Sequence, residues 1–293
     1  MPPEDKLFES MQRVVDVVLD GPHPTSKVAA GVLTDKILTC ATNYWPADID
    51  KKIGADVELG NTSGTIHAEM AAVLATPVTE GAIVFVTDPP CPNCMKNMIE
   101  AGVIAIYIDH KGFQKEFALK RGVDFQTMSL EMARLASINV YEIRRKERKI
   151  IPIVETFGDR PVAPPVTDNK GAQAVANVIN GQGDTETICV NGGIVLPLNE
   201  AELQQEKETF GSLKYDFIQT PLNRLMMVMR RRGLSFAGDV TVNSLPGPRE
   251  AVNYLGTGRR TLKIRDRSIG SEASKLAVKM LEEAEVLKIT DAA

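Results

Sequence analysis

Tryptophan, histidine and cysteine are scarce in this chain of 293 residues, which contains one tryptophan, three histidines and four cysteines. Two of the cysteines lie three residues apart in a proline-rich turn, which indicates metal binding in a reducing compartment and argues against a disulfide framework. Aromatic residues make up 5% of the chain and charged residues 25%, as in an ordinary globular protein. A fibrous or disordered protein is therefore excluded.

Long apolar runs and an excess of positive charge are lacking as well. No run approaches the roughly 20 apolar residues that span a bilayer, and residues 1–20 have neither the basic start nor the apolar core of a signal peptide. The formal net charge of -4 disfavours a protein that neutralises long stretches of nucleic-acid phosphate. We therefore expect a cytoplasmic protein with a small-molecule substrate and with no membrane or nucleic-acid partner.

The length favours two domains, and the spacing of apolar residues predicts the elements of the first. Residues 4–20 show the period of an amphipathic helix, and residues 28–40 that of a β-hairpin. Helical patterns then alternate with β-branched runs, which indicates parallel βαβ units in an α/β fold. The predicted helices are 65–75, 91–101 and 129–137, and the predicted strands are 83–87, 104–109 and 140–143.

A charged run followed by several prolines separates the two halves of the chain. We place a first domain at residues 1–150, a proline-rich linker at 151–170 and a second domain at 171–293.

The strongest chemical signal is the pair Cys91 and Cys94, at positions i and i+3. If Pro92 opens a helix, both sulfur atoms lie on one face of its first turn. A helix N-terminus lowers thiol pKa values and so favours the thiolates that zinc binds. His67, near the start of another predicted helix, completes three ligands of the kinds that Zn²⁺ prefers. We expect one zinc ion per chain.

Three protein ligands are typical of a catalytic zinc site, because a structural site closes its tetrahedron with a fourth. The remaining histidines and cysteines lack the local spacing for that role; they are His23, Cys40, His110 and Cys189. Glu69 lies two residues after His67, where a carboxylate can stay off the metal and move a proton. We therefore predict that Glu69 is the catalytic acid and base.

The second half echoes the first at an offset of about 156 residues, which indicates a tandem duplication. When Thr65 is aligned with Thr220, the positions of the metal ligands hold Leu222, Gly247 and Glu250, and that of Glu69 holds Arg224. The second copy is then catalytically silent. Shared apolar periodicity between two unrelated βαβ units would produce a similar echo, and this alternative stays open.

His-x-Glu at residues 67–69 together with Pro-Cys-x-x-Cys at 90–94 is the described signature of zinc deaminases. With these motifs, residues 24–143 resemble the cytidine and deoxycytidylate deaminase superfamily, specifically its deoxycytidylate-like branch. Segment 26–33 resembles the first strand of that family, and segment 41–46 resembles its substrate loop. The resemblance implies a three-layer α/β/α fold with a mostly parallel sheet, duplicated here in tandem.

The resemblance also implies hydrolytic deamination of a cytosine-type nucleotide or nucleoside to the uracil product and ammonia. Asn43 matches the residue of the family's substrate loop that contacts the sugar or base, so the resemblance implies that Asn43 binds the substrate. Ala68, the middle residue of the His-Ala-Glu triplet, is a second predicted substrate-binding residue. Trp45 is suited to stack on a base, although a packed loop anchor explains it equally well. We expect the two domains to pair within one chain, with a homo-oligomer as a further possibility.

Two alternatives stay open at this point. One is a deaminase of another nucleobase, guanine or adenine, either free or in tRNA. The other is a non-catalytic interaction module that zinc stabilises.

Overall fold

The computed structural model describes residues 2–115, 122, 125–156, 173–194 and 218–292. Contacts within the chain divide it into two units. Among the described residues, unit 1 draws on 2–44, 67–115, 122, 125–156 and 194, and unit 2 on 45–66, 173–193 and 218–292. None of the helices in the described part of the chain combines the length and apolar content that crossing a membrane requires.

Helices and strands alternate along most of the described chain. Up to residue 154 they are α1 (Glu4–Asp16), β1 (Ala29–Leu33), β2 (Leu38–Thr42), α2 (Ala47–Lys52), β3 (Glu58–Leu59), β4 (Thr62–Ser63), α3 (Ala68–Ala75), β5 (Ile83–Val86), α4 (Pro92–Glu100), β6 (Ala105–Asp109), α5 (Leu130–Leu135), β7 (Asn139–Arg144) and β8 (Lys149–Val154). After it they are β9 (Gln173–Ile179), β10 (Thr185–Asn191), β11 (Gly193–Ile194), β12 (Ile218–Gln219), α6 (Pro221–Arg232), β13 (Ser235–Val242), α7 (Pro248–Gly256), β14 (Thr261–Ile264), α8 (Glu272–Glu283) and β15 (Lys288–Asp291).

Unit 1 contains a six-stranded sheet in the order β2-β1-β5-β6-β7-β8. Strands β5, β6 and β7 are parallel neighbours, whereas β1 is antiparallel to β2 and β5, and β8 is antiparallel to β7. Four of the six strands consequently run in one direction. The predicted α/β fold with a mostly parallel sheet is confirmed.

Helix α1 covers one face of this sheet because its apolar residues recur at helical spacing. Phe8, Met11 and Val14 are buried on it. They pack with a column of three aromatic rings on neighbouring strands, in which ring centroids are 5.3 Å apart between Phe85 and Tyr107 and 4.9 Å apart between Tyr107 and Tyr141. Helix α3 contacts β1, β2 and β5. The predicted helix over 4–20 ends earlier, at Asp16, and continues as a 3₁₀ turn.

Unit 2 contains a five-stranded sheet in the order β10-β9-β13-β14-β15, which repeats the order β2-β1-β5-β6-β7 of unit 1. The strand directions repeat too, since β9 is antiparallel to both neighbours while β13, β14 and β15 are parallel. Helices α6, α7 and α8 stand between the same strands as α3, α4 and α5. The tandem repeat expected from the sequence is therefore present as a repeat of topology.

The two sheets differ on one face. Pairing of Val86 with Ile108 corresponds to pairing of Val242 with Ile264, and this register sets Thr241, Lys263 and Thr290 in the places of Phe85, Tyr107 and Tyr141. Lys263 forms an ion pair with Asp239 on the neighbouring strand, at 2.8 Å between Nζ and Oδ2. Because these side chains are polar, this face of unit 2 lacks the column of aromatic rings that packs under α1 in unit 1.

The division by contacts differs from the domain boundaries drawn on the sequence. Residues 45–66 belong to unit 2, because Ile49 and Leu59 are fully buried there and Arg260 forms an ion pair with Asp48. Strand β8 crosses the expected boundary at residue 150, since it pairs with β7 at the edge of the first sheet. Residues 157–170 of the expected linker lie outside the described residues.

The packing of α1 predicts a large energetic difference between its two faces. Met11→Ala removes a fully buried side chain and should lower the free energy of unfolding by about 2–5 kcal/mol, because the core loses both contacts and volume. Glu9→Ala, on the exposed side of the same helix, should change it by less than about 0.5 kcal/mol. Urea unfolding followed by circular dichroism measures both values, and equal effects would contradict this role of α1.

Candidate metal centre

Two helices of unit 1 begin at the predicted metal site. His67 is the N-cap of α3, and Cys91 is the N-cap of α4 with Pro92 at the first helical position, as the sequence predicts. Proline suits this position because it has no N–H to leave unpaired and its φ already matches a helix. Cys94 occupies the third helical position, so it lies one turn along from Cys91 on the same side of α4.

The three ligand atoms lie close together. The Nδ1 atom of His67 is 3.5 Å from the sulfur of Cys91 and 3.3 Å from that of Cys94, and all three ligand atoms lie within 4.8 Å of one another. Zinc bonds of about 2.3 Å to sulfur and about 2.0–2.1 Å to nitrogen would set tetrahedral ligands roughly 3.6 Å apart. The donor set and its spacing therefore fit a zinc ion. No other group of three such ligands occurs in the part of the chain that the structure describes.

The surroundings of Cys91 favour its thiolate form. The hydrogen bond with Cys94 lowers the pKa of the Cys91 thiol well below its usual range, and the positive charge of His67 adds to this effect. Free backbone N–H groups at the first turn of α4 also favour negative charge. A thiolate is the form that binds metal, so the site is prepared electrostatically for a cation.

Glu69 lies in the first turn of α3, and its side chain interacts with Cys94. Only 4% of the residue is exposed. Burial, followed by repulsion from the Cys91 thiolate, raises the pKa of the Glu69 carboxyl to about 8. A carboxyl group with such a pKa exchanges protons near neutral pH, which is what proton transfer in catalysis requires.

A polar network beside the site was not anticipated from the sequence. The Thr87 hydroxyl accepts a hydrogen bond from the Ala29 N–H at 3.0 Å and donates one to Asp88 Oδ2 at 2.7 Å. Lys115 Nζ also bonds Asp88 Oδ2, at 2.6 Å. Burial raises the pKa of Asp88, and the Lys115 ion pair opposes that rise. The sequence signal was the polar pair Thr-Asp directly after β5, whose partners are distant in the chain.

The three predicted substrate contacts are placed differently from one another. Asn43 is buried, and its side-chain amide bonds segment 26–28, accepting from the Val28 N–H and donating to the Ser26 carbonyl, both at 2.9 Å. Ala68 is fully buried at the start of α3. Trp45 falls in unit 2. The amide of Asn43 thus holds the chain before β1, and substrate contact by these residues stays a prediction.

The helix starts of unit 2 correct the residue alignment proposed from the sequence. Helix α6 has Thr220 as its N-cap and α7 has Gly247, so Thr220 takes the place of His67, where the sequence alignment had Leu222. By the same count Leu222, and not Arg224, takes the place of Glu69. The sequence alignment matched Thr65 with Thr220 and was wrong by two residues, because Pro221 fixes the start of α6 right after Thr220.

A matching pair of side-chain contacts supports the corrected alignment. Asn97, the sixth residue after Cys91, bonds the sulfur of Met70 at 3.1 Å. Asn253, the sixth residue after Gly247, bonds Asn223 Oδ1 at 3.1 Å. Each asparagine therefore reaches the third position of the preceding helix in its own unit.

Glu250 occupies the place of Cys94 in unit 2, and its carboxylate joins the two helix starts. One oxygen accepts from the N–H groups of Leu222 at 2.7 Å and Asn223 at 3.2 Å, both in α6. The other accepts from the N–H of Gly247 at 2.8 Å, at the start of α7. Only 4% of Glu250 is exposed. A carboxylate consequently lies where unit 1 gathers its metal ligands.

A comparison with known families finds a match that includes the residues of the metal cluster. Residues 5–109 match the family model described as the cytidine and deoxycytidylate deaminase zinc-binding region. Residues 5–109 are therefore similar to the cytidine and deoxycytidylate deaminase family. The deaminase signature at residues 67–69 and 90–94 lies inside this match.

Two curated proteins are similar to parts of this chain. The chain is 29% identical over 119 residues to an uncharacterized deaminase in the luxG 3' region of Aliivibrio fischeri, a match that covers 40% of this chain and 79% of that protein. It is 36% identical over 75 residues to ComE operon protein 2 of Bacillus subtilis, covering 23% of this chain and 40% of that protein. The chain thus spans two fifths of the Bacillus protein's length.

The similar solved structures are more distant in sequence. The dCMP deaminase of the cyanophage S-TIM5, in complex with dCMP and dUMP, is 23% identical with a TM-score of 0.36, covering 49% of this chain and 99% of that one. RibD of Acinetobacter baumannii is 13% identical with a TM-score of 0.27, covering 99% of this chain and 70% of that one. At these scores the likeness does not decide a function.

The carboxylate of Glu250 gives unit 2 a test that is independent of any metal. In Glu250→Gln the side-chain amide presents only one acceptor oxygen, so its NH₂ group must face a backbone N–H and one buried donor loses its partner. The free energy of unfolding should fall by about 1–3 kcal/mol. Urea unfolding measures this loss, with Glu58→Gln as an exposed control in the same unit. No loss would show that the carboxylate does not hold the helix starts together.

Proposed function

We propose that this protein is a zinc-dependent deaminase that hydrolyses a cytosine-type nucleotide or nucleoside to the uracil product and ammonia. The observation that carries the proposal is the cluster of His67, Cys91 and Cys94, with the buried carboxyl of Glu69 in contact with it. The family match supports a cytosine-type ring as the substrate.

The number of ligands favours a catalytic site. His67, Cys91 and Cys94 supply three donors within the described residues, which leaves the fourth position of a tetrahedral ion for water. We assign one zinc ion per chain to them, and none to unit 2, because Thr220, Gly247 and Glu250 replace the ligands there. Zinc, when bound, lowers the pKa of water to near 7 and so makes it nucleophilic at neutral pH.

Glu69 performs the proton transfers of the reaction. Its carboxylate takes a proton from the attacking water as the new bond forms between oxygen and C4 of the ring. It delivers that proton to the ring nitrogen N3, and it then carries a proton from the new hydroxyl group to the departing amine. The C4–N bond breaks, ammonia leaves, and the ring retains the oxygen as the carbonyl of uracil. A pKa raised by burial allows Glu69 to act as base and acid in turn.

A substrate panel with a single variant tests this function. The wild-type protein should release ammonia from cytosine nucleotides or nucleosides, whereas Glu69→Gln should lose about 10²–10⁴-fold in kcat and keep its zinc, because only the proton carrier is removed. Product chromatography and metal analysis measure the two quantities. Glu9→Gln, an exposed residue of α1, is the matched control and should behave as wild type.

The panel also separates the alternatives. It contains cytosine, adenine and guanine compounds, free and in tRNA. If only a purine compound is turned over, the proposal of a deaminase stands and the proposal of a cytosine-type substrate is wrong. If protein with stoichiometric zinc releases ammonia from none of these compounds, the proposal of an enzyme is wrong. The alternative of a non-catalytic module that zinc stabilises would then be favoured.

A further inference from the structure

The segment that leads into the metal ligand His67 packs in the other unit. The chain leaves unit 1 after Tyr44, runs through α2 and the β3–β4 hairpin as part of unit 2, and returns at His67. Residues 45–66 are thus covalently joined to a ligand of the metal site while their packing is set elsewhere. What fixes this segment also limits the positions open to His67.

Apolar burial and close backbone approach hold the segment in unit 2. Ile49 and Leu59 are fully buried. Gly60 has a φ of +66° and lies so close to the Ala273 carbonyl that any side chain there would collide with it. Lys52 Nζ donates to the Glu285 carbonyl at 3.0 Å. The segment is therefore anchored at several points along its length.

Arg249 makes the contacts closest in sequence to the metal ligand. Its guanidinium group donates to the carbonyl oxygen of Thr65 and to the hydroxyl of Thr62, and it lies 3.5 Å from the Ser63 hydroxyl. Thr62 and Thr65 are 5% and 6% exposed, so these acceptors have little access to water. Thr65 precedes His67 by two residues. Arg249 consequently binds the last turn of chain before the ligand.

The position of Arg249 is explained by these contacts and not by its own helix. It is the second residue of α7, where the helix dipole disfavours a cation. Its neighbour Glu250 bonds the N–H groups of both helix starts and so fixes the first turn of α7. The backbone that carries Arg249 is therefore fixed. From this position the several N–H donors of its guanidinium group can bind a carbonyl oxygen and a hydroxyl group at the same time.

We propose that Arg249 is a positioning residue for the metal centre: by holding Thr62 to Thr65 it orients His67 for metal binding. This inference rests on the proposed function only in naming the metal as zinc. Unit 2, which lacks the ligand set, then contributes to the site through the chain itself. The coupling runs along residues 65–67 and requires no contact between the two units.

Removal of the guanidinium group tests the proposal directly. Arg249→Met keeps much of the apolar stem and should weaken zinc binding by about 10–100-fold, as is typical when a group that orients a metal ligand is lost. Arg249→Lys should recover part of this loss, because an ammonium can still bond the Thr65 carbonyl. Arg265→Met, at an exposed arginine of the same unit, is the matched control and should leave the affinity unchanged.

Zinc affinity is measured by competition with a chelator, and the ligand geometry by the absorption spectrum of the cobalt-substituted protein. Arg249→Met should change the cobalt bands and lower kcat more than it raises KM, since a positioning residue acts on the reaction only through the metal ligand that it orients. Wild-type zinc affinity and an unchanged cobalt spectrum in folded Arg249→Met would overturn the proposal.

A second variant covers the case in which Arg249→Met does not fold. Thr62→Val removes one acceptor and leaves Arg249 and the strand β4 in place, and it should weaken zinc binding by a smaller factor than the arginine variant. If Thr62→Val and Arg249→Lys both bind zinc and cobalt like wild type, the proposal is wrong. Wild-type protein that binds zinc but deaminates nothing would instead refute the proposed function and leave this metal-binding test intact.

Discussion

In each unit the starts of two helices meet, and the positive ends of both dipoles with their free N–H groups must be satisfied there. Unit 1 meets this constraint with Cys91 and Cys94, whose thiolates and neighbouring His67 can bind a cation between the helices. Unit 2 meets it with the carboxylate of Glu250, which accepts from N–H groups of both helices. The same architecture therefore supports a reactive centre in one copy and an internal cap in the other.

The two units differ in two places. One is the meeting point of the helix starts, where Glu250 stands in place of the metal ligands, and the other is one face of the sheet. Where unit 1 stacks Phe85, Tyr107 and Tyr141 under α1, unit 2 carries Thr241, Lys263 and Thr290 at the same register. Unit 2 has the same strand order as the first five strands of unit 1 and helices at the corresponding places. A copy without ligands can still influence the other one if it fixes chain that leads into the other's site, and residues 45–66, which directly precede His67, cluster with unit 2.

The sequence was sufficient for the parts of the site that depend on local spacing. His67, Glu69, Cys91 and Cys94 could be selected because N-cap and first-turn positions of a helix bring residues two or three apart to one place. The hairpin and the parallel βαβ units of unit 1 followed from the alternation of helical and β-branched patterns, whereas β8 was not predicted. The spacing within each motif needs no knowledge of which distant segments meet, whereas the approach of His67 to Cys91 and Cys94 was inferred from the combined deaminase signature.

Contacts between distant segments were not predictable in this way. The Asp88–Lys115 ion pair, the use of the Asn43 amide on segment 26–28 and the packing of residues 45–66 in unit 2 all join residues far apart in sequence. The alignment of the second copy failed by two residues at Thr220, because a helix start is set by its N-cap and following proline and not by overall similarity. The spacing of apolar residues predicts that a helix exists more reliably than it predicts the residue at which the helix begins.

X-ray absorption at the zinc edge of the purified protein distinguishes a catalytic zinc site from a structural one. For a catalytic site we expect one zinc per chain with two sulfur ligands at about 2.3 Å, one histidine nitrogen, and one further oxygen ligand that is exchangeable water. A zinc bound by four protein ligands, or a protein that binds no zinc while Cys91 and Cys94 are reduced, would contradict the assignment of a catalytic metal centre to unit 1.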